Sequence, residues 1–522
     1  MTTMPILSLI IFLPLAGALA LIFVPAARVR TIRLVALGTA GAVLVLALVL
    51  FFGFDASTGG PQFVEQRAWL GYGIRYHVGI DGISLFLVAL TALLMPIALL
   101  SSWGSVGTRV KEFAFFMLVL ETGVLGVFVS LDLFLFYVFW EAMLIPMAFI
   151  IGIWGGARRI YASVKFVLFT MFGSLLMLAA ILVLQSQFHR ATGVHSFAIA
   201  DLCGLALDPA LQTWLFLAFG LAFAVKVPMF PLHTWLPDAH VEAPTPGSVI
   251  LAGILLKTGA YGFIRLALPL FPDAVARFMP GLSVLAAVGI VYGGLMALVQ
   301  KDMKSLVAYS SVSHMGLVVL AVFALNAEAM EGALFQMIAH GLGTGALFLC
   351  VGVLYERTHT RRISDYGGVG RTMPVFSALF LVSLLSSLGL PGLSGFVGEI
   401  LCFFGVFRAN RGLAIVAVTT VVLSAAYLLR LFQGVVHGPV TNETVRSLKD
   451  VNAREMVALG PLVVLMIGLG LFPGLLLGKM HTSVRTYFEL LRRPRPVAVM
   501  KVAPGRRGLS GPVRGPDRGG RP

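Results

Sequence analysis

Glu141, Lys226, Lys257, His314, His340 and Glu399 lie inside, or at interruptions of, long apolar runs, and Glu121 and Lys165 join them as weaker candidates. A charge at the centre of a membrane helix costs about 2.5–3.5 kcal/mol on insertion scales, so such a set needs pairing, water or function. Taken singly, each could be a polar contact gluing two helices. That reading weighs most for Glu121 and Lys165, less for the two histidines, and least for Glu141, Lys226, Lys257 and Glu399. The chemistry open to the set is proton transfer. Burial disfavours the charged form of either a lysine or a carboxyl, and a nearby opposite charge restores it. A lysine whose carboxylate partner approaches and retreats therefore loads and releases a proton. Glu141 with Lys226 is the expected tuning pair, Lys257, His314 and His340 the expected relay along the midplane, and Glu399 its far terminal. Histidine suits the relay because its unperturbed pKa lies near neutrality.

Other chemistries find little support. The cysteines, Cys203, Cys350 and Cys402, form no C-x-x-C pair and have no metal-ligand spacing, which leaves disulfide frameworks, structural zinc and iron-sulfur ligation unsupported. His233 and His240 flank Asp238, but without a clear third ligand they are weak evidence for a metal site. Gly341, Gly343 and Gly345 have dinucleotide-like spacing inside an apolar helix, where close helix packing is the better reading. No Ser-His-Asp arrangement, P-loop or haem motif occurs. No metal and no cofactor are therefore expected in this chain.

The elements that hold these residues follow from composition. The chain has 522 residues, 58% hydrophobic and 12% charged, against roughly 25% charged in an ordinary soluble domain. A water-soluble fold is excluded. About 20 mostly apolar residues make one span, and such runs cover residues 4–24, 31–53, 79–102, 112–131, 132–154, 160–186, 211–240, 246–268, 280–300, 302–325, 327–356, 374–408, 412–434 and 455–477. The expected fold class is an all-α polytopic membrane protein with about 14 transmembrane helices. At the 1.5 Å rise of a helix, Glu141, Lys257, His314 and His340 lie about 13, 16, 18 and 20 Å into their runs, near the middle of a bilayer core of about 30 Å.

The seventh run is interrupted by Pro228 and Pro231, and the twelfth around Pro391, Gly392 and Gly395. Both are expected to be discontinuous helices. Each is the fourth helix of a five-helix block, if the blocks are helices 4–8 and 9–13. Five is odd, so the second block must be inverted, the footprint of an inverted repeat whose broken helices meet ions near the midplane. Simple kinking by proline and glycine is the plainer alternative. The expected organisation is residues 1–111 for helices 1–3, 112–268 for the first repeat, 280–434 for the second, 435–490 for the region of helix 14, and 491–522 for a basic tail.

The net charge of +15 would suggest nucleic acid in a soluble protein, but it is local. Residues 491–522 hold nine basic side chains and one acid, Asp517. Rich in Pro, Gly and Arg, this tail has no apolar face and is expected to be disordered. Between spans, sixteen Lys and Arg lie in one set of alternate loops and six in the other. The positive-inside rule then places both termini on the outer side, leaving the basic tail against the usual bias. The first apolar run has no basic segment before it, so a retained helix is expected rather than a cleaved signal.

Three segments resemble a known family: KVPMFPLHTWLPDAHVEAPTPGSVILAGILLKTGAYGFIR (226–265), QKDMKSLVAYSSVSHMG (300–316) and FYVFWEAMLIPM (136–147). They are similar to the antiporter-like proton-pumping subunits of respiratory complex I, whose superfamily includes subunits of multi-subunit cation/proton antiporters and membrane-bound hydrogenases. The likeness covers roughly residues 80–480 and is most specific between the seventh and eighth helices. It implies the relay roles of Glu141, Lys226, Lys257, His314 and His340. Several relatives carry a lysine where this chain has Glu399, a departure that resembles the M branch of the family, the mitochondrial subunit 4 type, rather than the L or N branches. The resemblance further implies a proton-translocating subunit of an NADH:quinone oxidoreductase in a bacterial inner membrane, with protons as substrate. Its expected partners are the other membrane subunits, the antiporter-like subunits L and N among them, together with membrane lipids but no nucleic acid. Flavin, iron-sulfur clusters and quinone are expected in other subunits. The basic tail matches nothing in that family. A subunit of a cation/proton antiporter is the alternative, and a membrane scaffold that transports nothing the blander third.

Overall fold

The computed structural model describes residues 4–440 and 442–492; the expected disordered tail lies outside the described residues from residue 493 onward. The apolar runs near the N-terminus form α1 (Ile6–Phe23) and α2 (Val29–Gly53). The span expected from residue 79 begins only at Leu85, as α3 (Leu85–Ser105). Before it comes an antiparallel hairpin, β1 (Gln62–Gly71) with β2 (Ile74–Ile80), in a register that pairs Gln62 with Ile80 and Gly71 with Ile74. Its two-residue turn, Tyr72 and Gly73, has φ of 48° and 81°, the left-handed pair that suits the right-handed twist of the strands. Glu65 of β1 fastens the hairpin to the start of α1, accepting from the Leu7 and Ser8 amides at 2.9 and 3.2 Å.

Next come α4 (Val110–Val129), α5 (Leu133–Ala142), α6 (Leu144–Trp154), α7 (Arg159–Thr192) and the short α8 (Ile199–Cys203). The helices α5 and α6 are one crossing, offset at Met143. The Asp132 carboxylate caps α5 by accepting from the Phe134 and Leu135 amides, satisfying donors that the first turn leaves unpaired. The seventh run is discontinuous: α9 (Pro209–Lys226) stops before Pro228, and α10 (Trp235–Glu242) resumes after the Phe230–Pro231 cis bond. The eighth crossing is a rod of α11 (Thr245–Ile250), α12 (Leu256–Gly262) and α13 (Leu268–Leu270), joined by π-helical turns at Leu251–Leu255 and Phe263–Ala267.

The second half contains α14 (Pro272–Leu298), α15 (Met303–Val322), α16 (Ala327–Thr358), the short α17 (Val369–Thr372), α18 (Pro374–Ser387), α19 (Ser394–Ala409), α20 (Arg411–Val436), the short α21 (Glu443–Arg446), α22 (Ala453–Leu471) and α23 (Gly474–Arg492). The twelfth run is thus broken into α18 and α19, neither long enough to span alone. Thirteen helices among the described residues are long and apolar enough to cross a membrane. The last expected run, 455–477, overshoots: α22 ends at Leu471, and Pro473 separates it from α23. That final helix is amphipathic, burying Leu476, Met480, Val484, Tyr487 and Phe488, so it caps the bundle at the hairpin end instead of crossing it.

Burial identifies the centre. The most apolar window is wholly buried in α16, 94% buried in the α11–α13 rod and 89% in α15, against 28% in α2 and 33% in α20. Helices buried all round form a core, and those buried on one stripe form its outer wall. The three central rods carry Lys257, His314 and His340.

Candidate functional site

Lys257 sits in α12 with none of its surface exposed. The preceding π-helical turn offsets the backbone ladder, and its ammonium donates to the Ala252 carbonyl at 2.5 Å. Its Nζ also lies 2.7 Å from His340 Nδ1 on α16. Among the described residues no carboxylate lies within ion-pair distance of this lysine. A buried ammonium held by one carbonyl and one imidazole lacks the counter-charge that usually accompanies a buried cation.

From His340 the groups continue sideways across the core. The His340 and His314 rings are 5.9 Å apart between centroids, and His314 Nδ1 lies 3.3 Å from Glu399 Oε1. That contact is close enough for an ion pair but out of hydrogen-bond alignment. The other ring nitrogen of His314 meets the Tyr427 hydroxyl at 3.3 Å, and Gln336 Nε2 reaches Glu399 Oε1 at 3.5 Å. Glu399 lies in the second turn of α19, just past the break in the twelfth crossing, and is 2% exposed. Lys257, His340, His314 and Glu399, drawn from four crossings, thus form one contiguous buried row.

The expected Glu141–Lys226 pair is looser. Lys226 closes α9 before its break and is 2% exposed. Its ammonium rests over the Trp140 and Phe166 rings, at 5.3 and 5.6 Å from their centroids, a cation–π setting that partly replaces water. Glu141 acts on it electrostatically, but the two form no ion pair within 4 Å. One Glu141 oxygen is buried without a partner.

The weaker candidates part company. Lys165 on α7 is held by Asp238 of α10 at 2.7 Å, which ties the second half of the broken crossing to its neighbour and leaves this lysine outside the row. Glu121 on α4 is fully buried with neither oxygen hydrogen-bonded, so no hydrogen bond joins it to the row. His233 and His240, considered for a metal, face different surroundings: His233 packs on Phe230 and Tyr292, and His240 stacks on Phe348 with ring centroids 4.8 Å apart.

Lys304 escaped the sequence reading, and His240 entered it only as a weak metal candidate. His240 is fully buried with both ring nitrogens unpartnered, within the electrostatic reach of Lys304, Lys257 and His340. Lys304, near the start of α15, is buried and donates to the Ala243 and Val241 carbonyls at the end of α10. Beside it lies a cavity of about 150 Å³ at the end of the bundle opposite the hairpin, lined by Glu242, Lys304, Tyr355 and Arg361 among others. The signal for Lys304 was its place at the very start of a predicted span; His240 stood out only beside His233 and Asp238, and nothing in the polar WLPDAH stretch marked its burial.

A family model described as "NADH:quinone oxidoreductase/Mrp antiporter, TM" matches residues 130–424. The chain is 48% identical over 491 residues to NADH-quinone oxidoreductase subunit M of Rhodobacter capsulatus, covering 92% of this chain and 95% of that one. It is 45% identical over 480 residues to NADH-ubiquinone oxidoreductase chain 4 of Arabidopsis thaliana, covering 92% and 96%. Its fold is similar to a chain of respiratory complex I from Thermus thermophilus with bound NADH, with a TM-score of 0.84 and 36% identity, covering 94% of this chain and 100% of that one.

Proposed function

Because the chain belongs to the NADH:quinone oxidoreductase/Mrp antiporter family of membrane subunits, we propose that it is a proton-translocating membrane-arm subunit of an NADH:quinone oxidoreductase in a bacterial inner membrane. The observation that carries this reading is the buried row Lys257, His340, His314, Glu399, with its 2.7 Å first contact and 3.3 Å last one. The Lys257 ammonium passes a proton to His340 Nδ1 and becomes an amine. His340 then sheds its Nε2 proton, from the atom that has no partner before transfer, because a neutral imidazole accepting on one nitrogen carries its proton on the other. The proton continues through His314 to the Glu399 carboxylate. Approach or retreat of Glu141 from Lys226 resets the electrostatics of the first half, driven by neighbouring subunits, among them the antiporter-like L and N. NADH oxidation and quinone reduction, with flavin and iron-sulfur clusters, belong to other subunits, and this chain supplies proton-carrying side chains alone.

We further infer that helices 4–8 and 9–13 are inverted repeats. Asp132 and Asp302 each cap the second helix of their block, and each bridges to the segment after the third, Asp132 to Ala198 and Asp302 to Arg362. Asp132 accepts from the Arg75 amide at the hairpin end, whereas Asp302 pairs with Arg361 at the opposite end. The same device at opposite ends is what inversion requires.

Lys257→Met tests the function. Replacing a buried, poorly paired charge by an apolar side chain of similar length leaves folding near neutral. The expected result is normal assembly with loss of most NADH-driven proton uptake by vesicles; undiminished uptake would leave the scaffold reading standing. Cation/proton exchange in the absence of NADH would favour the antiporter reading, which the family also covers.

A further inference from the structure

We propose that Arg265 is an electrostatic seal that closes the route from Lys257 toward the hairpin end of the bundle, so that a proton on Lys257 can leave only sideways through His340. The proposal rests on the relay reading above. Tyr261 and Arg265 follow Lys257 at one-turn intervals on the same rod and stand between it and the hairpin end. The Tyr261 hydroxyl donates to the Phe128 carbonyl at 2.9 Å and accepts from Arg265 Nε at 3.1 Å. Arg265 Nη2 lies 2.7 Å from both oxygens of Asp81, in the turn between β2 and α3. That carboxylate also accepts from the Ile83 and Ser84 amides at 3.1 Å.

Above the pair lies α23. Its Tyr487 hydroxyl donates to the Ile264 carbonyl at 2.6 Å, and its Ser483 hydroxyl accepts from the Gly82 amide at 2.9 Å. The amphipathic helix thus covers the ion pair and fixes both of its neighbours.

The contrast with the lateral row decides the function. His340 and His314 keep ring nitrogens without hydrogen-bond partners, and an imidazole can both take up and release a proton. In the plug, Tyr261, Arg265 and Asp81 are mutually satisfied. A guanidinium has donors only and does not give up its proton in proteins, so it cannot join a relay, and a fixed positive charge in a narrow path excludes protons and other cations. Lys257 therefore faces, on the hairpin side, a satisfied ion pair whose cation cannot give up its proton and, on the other, an imidazole nitrogen within 2.7 Å.

The test compares two single substitutions in membrane vesicles carrying the assembled complex, with a pH-sensitive dye reporting decay of an imposed pH gradient without NADH. Arg265→Gln removes the charge and should raise proton leak several-fold. Asp81→Asn removes its partner but keeps the guanidinium, and should leave the vesicles as tight as the unmodified complex. A pair with only a structural role would make both variants behave alike, and that result overturns the proposal, as does an Arg265→Gln complex that stays tight. The leak should vanish in Arg265→Gln combined with Lys257→Met, and a leak that persists there places the path elsewhere and also overturns it. If Arg265→Gln does not assemble, Arg265→His gives the same reading, since it should leak at alkaline pH and hold at acid pH, and a pH-independent rate refutes the seal. Failure of the relay reading shows separately, as undiminished NADH-driven uptake in the Lys257→Met complex.

Discussion

At the scale of single residues, the members of the buried row were legible because charge stands out in an apolar run. Glu399 is buried beside an imidazole whose nitrogen is 3.3 Å away, a setting that an amide of the same shape fills without carrying a proton. Glu399→Gln is expected to assemble in normal amounts, since the Gln336 and Tyr427 contacts around the site tolerate a neutral group, and to lower proton-coupled NADH oxidation at least tenfold. Glu399→Asp withdraws the carboxyl by one methylene and should fall between. Proton uptake measured beside the amount of assembled complex checks both, and a Gln variant with full uptake would remove Glu399 from the row. His240 was not legible in the same way. Its polar neighbours gave no contrast, and its burial against Phe348 comes from a helix about 100 residues later in the chain. The absence of a close ion pair between Glu141 and Lys226 was equally hidden, because depth in two helices fixes the level of two side chains but not the distance between them.

At the scale of elements, the breaks in the seventh and twelfth crossings were legible because proline lacks an amide proton and glycine favours turns. The hairpin and α23 were not, because a search for uniformly apolar runs passes over strands and one-faced helices alike. Both nonetheless build the outer closure of the bundle. Burial pushes the Tyr76 phenol up to about 12, so it remains a neutral donor beside Ser8 and Glu65 where the hairpin meets α1. At the other end, Arg357 closes α16 onto α22: its Nη1 and Nη2 lie 2.8 and 2.7 Å from the two oxygens of Glu455. Arg357→Ala leaves a carboxylate that is 6% exposed with Arg454 at 3.7 Å as its remaining cation. Breaking a buried pair costs about 3–5 kcal/mol, less where solvent screens it, so a loss of about 1–3 kcal/mol is expected for this partly exposed pair. Thermal denaturation of the purified complex should show a lower midpoint, while Arg357→Lys, which keeps the charge but not the fork, should recover only part of it.

At the scale of the whole molecule, the row runs sideways from the eighth crossing to the twelfth, so in the proposed function the sides of proton entry and exit depend on how the chain sits in the membrane. The positive-inside rule is the basis for an expectation, since Arg109, Arg158, Arg357, Arg361, Arg446 and Arg454 lie away from the hairpin, in contacts with Glu112, Asp238, Glu455, Asp302, Glu443 and Glu356. The hairpin end should then face outward. The turn residue Tyr72 is 80% exposed at that end, and the Arg446 side chain is 67% exposed at the other. In a chain with Cys203 replaced by serine, Cys350 and Cys402 are buried and should stay silent toward a membrane-impermeant maleimide. Tyr72→Cys should then react in right-side-out spheroplasts and Arg446→Cys only in inverted vesicles. The reverse pattern would turn the molecule over, and with it the side toward which the Arg265–Asp81 pair lies.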